Sequence, residues 1–182
     1  MCAYIVYDYD QIIASWYATR NWKQYDFQQE LAAAYQQGYN GILNAPTGSG
    51  KTFAMWLPII ADHMAKGSHQ ATSGLKVIWI TPLRALAKDI RNALQEACDL
   101  FDMGWRVEIR TGDISAKDKQ AQKKQMPDVL IITPESLHVL LCQIGYESIF
   151  ENLSCVVVEE WHELLGSKRG VQVELSISRL RG

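Results

Sequence analysis

The chain has 182 residues, 48% of them hydrophobic and 21% charged, the make-up of an ordinary globular protein long enough for its own core. A formal net charge of −2 gives no basic signature, so any contact with nucleic acid must come from local donors. No apolar run approaches the ~20 residues that span a bilayer, the opening MCAYIVYDYD is acidic where a secretory signal is basic, and Cys2, Cys98, Cys142 and Cys155 lack CxxC or zinc spacing. The expectation is a cytoplasmic chain with free, mostly buried thiols.

Ile12, Ile13, Trp16 and Tyr17, then Phe27, Leu31, Ala34 and Tyr35, recur at helical spacing and predict two helices, the second ended by Gly38 and Gly41. Gly41-Ile42-Leu43 predicts a short buried strand that enters the loop Asn44-Ala45-Pro46-Thr47-Gly48-Ser49-Gly50-Lys51-Thr52, and a helix bent at Pro58 leaves it over residues 51–65. Strand, loop and helix are the setting of a phosphate-binding loop. There, Thr47, Gly48, Ser49 and Gly50 would turn backbone N–H groups toward phosphate oxygens at a helix N-terminus. Lys51 would reach the β- and γ-phosphates as a catalytic cation, and the Thr52 hydroxyl would ligate Mg²⁺. Ala45 breaks the strict GxxxxGK[ST] pattern, which leaves a plain turn between strand and helix open on these residues alone.

Beyond a polar loop at 66–74, apolar runs and helical patterns alternate. Strands are predicted at 75–80, 105–110, 129–132 and 155–158, and helices at 83–100, 115–125, 135–141 and 171–180. That order predicts an α/β fold, a parallel sheet with helices on both faces. Ligands of such sheets gather at the strand carboxyl ends, and the last strand runs into Glu159-Glu160-Trp161-His162-Glu163. Adjacent acids there are costly unless a cation or donor meets them. Glu159 would serve Mg²⁺ and Glu160 would orient or deprotonate the attacking water; an acidic helix start is the alternative. No NKxD, LSGGQ-like or clustered-arginine signature is present, and Ser115-Ala116-Lys117 reads as a helix cap. Lys117, Lys119, Lys123 and Lys124 read as a solvated face, and His63, His69 and His138 as packed or surface residues.

The motif set resembles the first motor lobe, a RecA-like P-loop NTPase domain, of superfamily 2 helicases, over nearly the whole chain. APTGSGKT, with Ala45, is the form that superfamily uses. Thr81-Pro82-Leu83-Arg84-Ala85-Leu86-Ala87 is similar to its motif Ia, Thr111-Gly112-Asp113 and Thr133-Pro134-Glu135-Ser136 to its Ib-region motifs, and EEWH to its motif II. WHELLGSKRGVQVEL resembles the Lhr-type DEXH helicases, most closely their ligase-associated DNA-repair branch. The resemblance implies an ATP- and Mg²⁺-dependent 3′-to-5′ translocase on single-stranded DNA that acts near a DNA ligase and a nuclease. It also implies roles by residue. Gln28 would read adenine with Tyr25 or Trp22 stacked on the ring. Arg84, the N–H groups from Thr81 through Pro82 to Leu83, Thr111, Gly112, Asp113, Thr133, Pro134, Glu135 and Ser136 would hold DNA phosphates, and His162 would couple the two sites.

Two departures stand out. Glu159 occupies the position where the family has Asp, which predicts that nucleotide binds while hydrolysis is impaired. Motif III and the second lobe, with its arginine finger, are not in the sequence. The expectation is therefore one helicase ATP-binding domain over 1–182, with residues 1–38 as helices carrying a Q-motif-like segment, and negligible turnover alone. A non-catalytic nucleotide-sensing or DNA-docking module is the alternative.

Overall fold

The computed structural model describes residues 8–67 and 74–181; Cys2, His69 and most of the predicted polar loop lie outside the described residues. The chain forms two compact units, residues 1–71 with 96–103, and residues 72–95 with 104–182.

In the first unit, α1 (Tyr9–Thr19) starts where the Asp8 carboxylate accepts from the N–H groups of Asp10 and Gln11 at 2.9 and 3.1 Å. Its Ile12, Ile13, Trp16 and Tyr17 are buried, as their spacing predicts. Trp16 packs on the rings of Phe53 and Phe101, and the Arg20 guanidinium lies 3.2 Å from its ring centre. Helix α2 (Asp26–Gln36) behaves differently from its pattern: Phe27, Leu31, Ala34 and Tyr35 are only half buried, and Gln28 and Ala32 are the buried pair. The Tyr9 hydroxyl donates to the Ala32 carbonyl at 2.8 Å, which draws that face of α2 inward. Helix α3 (Lys51–Ala65) buries Trp56, Leu57, Ile60 and Ala61 completely and continues through Pro58.

The strand expected at residues 41–43 is absent: the segment is irregular and Ile42 is 86% exposed. A strand persists only with ladder partners, and the described residues of the first unit contain no other strand.

The second unit is built on a four-stranded parallel sheet of β1 (Val77–Ile80), β2 (Val107–Arg110), β3 (Val129–Ile132) and β4 (Cys155–Val158), in the order β2-β3-β1-β4. The central strands β1 and β3 are buried at every position, whereas the edge strands β2 and β4 are only partly covered. Continuous apolar runs such as VIWI and VLII are what strands covered on both faces require. Ile78, Ile80, Leu130 and Ile132 share a core with Leu137, Leu140 and Leu141 of α6 (Pro134–Leu141), with Leu164, and with Val173 of α8 (Lys168–Leu180).

Several boundaries shift for local reasons. β1 and β2 begin two residues later than predicted, at the first residues of the ladder. Helix α4 (Ala87–Leu100) starts four residues late because residues 83–86 form a tight turn, in which the N–H groups of Leu86 and Ala87 donate to the carbonyls of Leu83 and Arg84. Helix α8 starts three residues early, since the Ser167 hydroxyl accepts from the Gly170 N–H at 3.1 Å. Only glycine fits at 170, because a Cβ would collide with the Leu164 carbonyl. The remaining helices are α5 (Ala116–Lys124) and a single turn, α7 (Glu147–Phe150). The thiols differ from expectation: Cys98 is buried, Cys155 half buried and Cys142 exposed. No described helix is long and apolar enough to cross a membrane.

Candidate nucleotide and nucleic-acid sites

In the first unit, Gly48 and Gly50 hold φ of 78° and 80°, left-handed backbone that glycine adopts without strain. Gly50 is the N-cap of the 15-residue α3 and carries no side chain, so no side-chain cap hydrogen bond closes the start of the helix. The loop is closed on itself. The Pro46 carbonyl accepts from the Ser49 N–H at 3.3 Å, the Ser49 hydroxyl at 2.7 Å and Lys51 Nζ at 3.2 Å, and Lys51 also donates to the Ala45 carbonyl at 2.9 Å. Thr47 and Gly48 are exposed, and Thr52 is half buried in the first turn of α3.

Gln28 is 4% exposed and its amide spans two elements. Oε1 accepts from the Tyr25 N–H at 3.0 Å and Nε2 donates to the Ser49 carbonyl at 3.3 Å. Its groups thus face the phosphate loop and the start of α2, not open solvent. Tyr25 and Trp22 are 57% and 53% exposed, available as flat platforms.

In the second unit the register decides the geometry. Ile80 lies level with Ile132 and Val158, and Ile132 level with Arg110. Thr81, Thr111, Thr133 and Glu159, each the first residue after its strand, therefore stand along one edge of the sheet. Thr81 and Thr133 are fully buried and Thr111 nearly so. The backbone donors expected from Thr81 to Leu83 are not free there: the Thr81 N–H donates to the Ile132 carbonyl at 3.0 Å, Pro82 has none, and the Leu83 N–H points at Thr81 Oγ1 at 3.4 Å. Arg84 and Asp113 are paired, with Nη1 donating to both carboxylate oxygens at 2.9 and 3.0 Å, beside exposed Gly112. Both side chains are more than half exposed, so the pair contributes only about 0–1 kcal/mol and another anion can displace it.

Thr133 caps α6, Pro134 occupies its first turn, and the Thr133 and Ser136 hydroxyls lie 3.0 Å apart. Burial alone would raise the Glu135 pKa. The Arg169 hydrogen bond, its own backbone N–H, the Arg169 charge and the Thr133 hydroxyl outweigh that and hold the carboxyl below its ordinary range. A cleft of about 230 Å³ opens here, lined by Arg84, Arg110, Gly112, Lys119, Glu135, Ser136 and Val139.

Sequence reasoning missed Arg110 and misassigned Lys119. Arg110 is 5% exposed, burial lowers its pKa, and Nη1 donates to Gln122 Oε1 at 3.1 Å. An arginine at the last position of the strand VEIR was the available signal. Lys117, Lys123 and Lys124 are exposed as predicted, but Lys119 is drawn in, with Nζ donating to the Gly112 carbonyl at 3.3 Å.

At the end of β4, the Glu159 carboxylate accepts from Trp79 Nε1 at 3.1 Å. Glu160 has φ of 51°; the other described non-glycine residues with positive φ are Asn21 and Asp102, types that tolerate it better. His162 lies 3.4 Å from both Glu160 and Glu163, and its side chain is 69% exposed. These close neighbours belong to its own segment and not to the threonine-headed loops, so the expected coupling has no direct contact behind it.

The family model described as DEAD/DEAH box helicase matches residues 25–182. The chain is 35% identical over 165 residues to the ATP-dependent helicase Lhr-Core protein 2 of Thermococcus barophilus, covering 85% of this chain and 19% of that one. It is 32% identical over 182 residues to the Lhr helicase/probable uracil glycosylase of Mycolicibacterium smegmatis, covering 94% and 12%. Among solved structures it is similar to the Mycobacterium smegmatis helicase Lhr bound to ssDNA and AMP-PNP, at 29% identity and a TM-score of 0.76, covering 93% of this chain and 22% of the other. The four-stranded parallel sheet is thus that of a RecA-like helicase domain, and the chain spans about a fifth or less of the length of these relatives.

Glu160→Gly should raise the urea midpoint of unfolding, by about 1 kcal/mol in stability, since glycine adopts the left-handed conformation without the Cβ penalty. An unchanged or lower midpoint would show that Glu160 carries no backbone strain.

Proposed function

Because the chain belongs to the DEAD/DEAH box helicase family, we propose that it is the ATP- and nucleic-acid-binding lobe of a DNA-dependent ATPase and helicase, a 3′-to-5′ translocase on single-stranded DNA. The observation that most supports this reading is the level edge of the parallel sheet, where three threonine-headed loops and Glu159-Glu160 follow aligned strands. Turnover is assigned to a protein of the relatives' length, with this chain as one domain of it. DNA repair as the setting, a ligase and a nuclease as partners and the cytoplasm as the compartment belong to the same reading, through the sequence resemblance.

The phosphate loop fits Mg²⁺-ATP: a helix N-terminus without a side-chain cap, two left-handed glycines and a lysine held only by neutral carbonyls suit a polyanion. Bound ATP supplies the phosphoanhydride, and Mg²⁺ offsets its charge. Lys51 exchanges the Ala45 and Pro46 carbonyls for phosphate oxygens, replacing neutral acceptors with charged ones. Thr47, Gly48, Ser49 and Gly50 shape the cradle. The metal roles of Thr52 and Glu159 and the water-activating role of Glu160 belong to this reading through the sequence resemblance. Gln28 reads adenine once its amide leaves Tyr25 and Ser49, and Tyr25 or Trp22 stacks on the base.

On the sheet edge, Arg84, Gly112 and Ser136 contact DNA phosphates, with Thr81, Pro82, Leu83, Thr111, Thr133 and Pro134 shaping the loops that present them. Asp113 occupies Arg84 until phosphate displaces it, Glu135 shapes the start of α6, and the coupling role of His162 rests on the sequence resemblance alone.

A second reading, a nucleotide-sensing or DNA-docking module with an impaired acidic motif, is favoured by the Trp79 hydrogen bond that holds the longer Glu159 side chain. In a two-lobed protein, Glu159→Asp should increase DNA-stimulated phosphate release under this second reading; no increase would reject impairment by Glu159. For the leading reading, Lys51→Ala should weaken binding of a fluorescent ATP analogue with Mg²⁺ by about tenfold or more, the loss of a charge-assisted hydrogen bond. Equal affinity in the two proteins would refute the assignment of the loop.

A further inference from the structure

Of the described residues that line the 230 Å³ cleft, Arg84, Arg110 and Lys119 are cationic and Glu135 is the one acid. A carboxylate in a groove meant for phosphates works against binding, since like charges brought together with little water between them repel. Its partner comes from the other end of the unit's sequence. Arg169 Nε donates to Glu135 Oε1 at 2.5 Å and Nη2 reaches Oε2 at 3.4 Å, while the same Nη2 donates to the Pro82 carbonyl at 2.9 Å. One guanidinium therefore ties the start of α6 to the turn after β1, the two loops that flank the cleft.

The position of Arg169 is itself held. It sits in the first turn of α8, whose Ser167 hydroxyl donates to the Leu164 carbonyl at 2.7 Å and accepts from the Gly170 N–H at 3.1 Å. Gly170 presses so closely on that carbonyl that no side chain fits. The Lys168-Arg169-Gly170 run is thus a mount that aims one side chain across the turn following the acidic motif.

We propose that Arg169 is a positioning residue for nucleic-acid binding: it masks the Glu135 carboxylate and fixes the two loop ends, so that the cleft presents net positive charge to a phosphate. It does this without touching the strand. The inference rests on the reading of the sheet edge as a nucleic-acid surface. The planar guanidinium serves both partners at once, which a lysine ammonium does less well.

The test is a charge-rescue cycle on the 182-residue chain, with a fluorescently labelled single-stranded oligonucleotide as probe and thermal unfolding measured on every variant. Arg169→Gln should weaken binding about tenfold by leaving a bare carboxylate in the cleft. Glu135→Gln removes the acid and leaves the Arg169 charge uncompensated, so it should bind more tightly than the starting protein, and the double variant should recover to within about threefold of that protein. Recovery in a double variant that unfolds no later than Arg169→Gln assigns the effect to charge and not to fold. A double variant as weak as Arg169→Gln would overturn the proposal and leave the surface itself standing. Absence of oligonucleotide binding by the unsubstituted chain would overturn the surface, and this inference with it.

Discussion

The level register of the parallel sheet is the constraint on which the second unit depends. Parallel strands hydrogen-bonded in register end together, and the chain leaves each at the same edge. Thr81, Thr111, Thr133 and Glu159 are therefore neighbours in space although 78 positions of sequence separate the first from the last. A one-residue slip of a central strand would send every side chain to the other buried face, so the register is held by how the residues of each face pack and not by exposure.

Against a net charge of −2 the chain places cations locally at the glycine loop and the sheet edge, and several of them are engaged at rest. Lys51 rests on loop carbonyls, Arg84 on Asp113, Lys119 on the Gly112 carbonyl, and Arg169 on Glu135 and Pro82. These contacts differ in how readily they yield. The Arg84–Asp113 pair is exposed and easily exchanged, whereas Arg110 is buried and fixed by Gln122. The cleft thus combines an exchangeable Arg84 with a fixed Arg110, beside Lys119, and on the proposed reading this suits positioning a backbone without reading its bases.

Much of this was legible in the sequence, for a physical reason: ligand-facing residues in an α/β sheet follow apolar runs, and apolar runs are visible. Strands β1, β3 and β4 and the Thr-Pro loop starts could be found that way. The residues at 41–43 show the limit, because an apolar tripeptide carries no information about whether a ladder partner exists. Gln28 shows another, since its residue type suits adenine while its amide is turned to Tyr25 and Ser49. Arg84 with Asp113, and Arg169 with Glu135, are pairs 29 and 34 positions apart that no local period encodes. The left-handed backbone at Glu160 was equally hidden, because Glu is not a residue type that announces it.

On the proposed reading, the carboxyl edge of the sheet is where a nucleic-acid backbone meets this protein. Amide hydrogen exchange with and without a single-stranded oligonucleotide addresses it directly, because protection is read residue by residue. Slowed exchange is expected in the segments 83–86, 112–115 and 135–138, with α1 unchanged. Protection confined to residues 9–65, or none at a concentration where the oligonucleotide is bound, would contradict it.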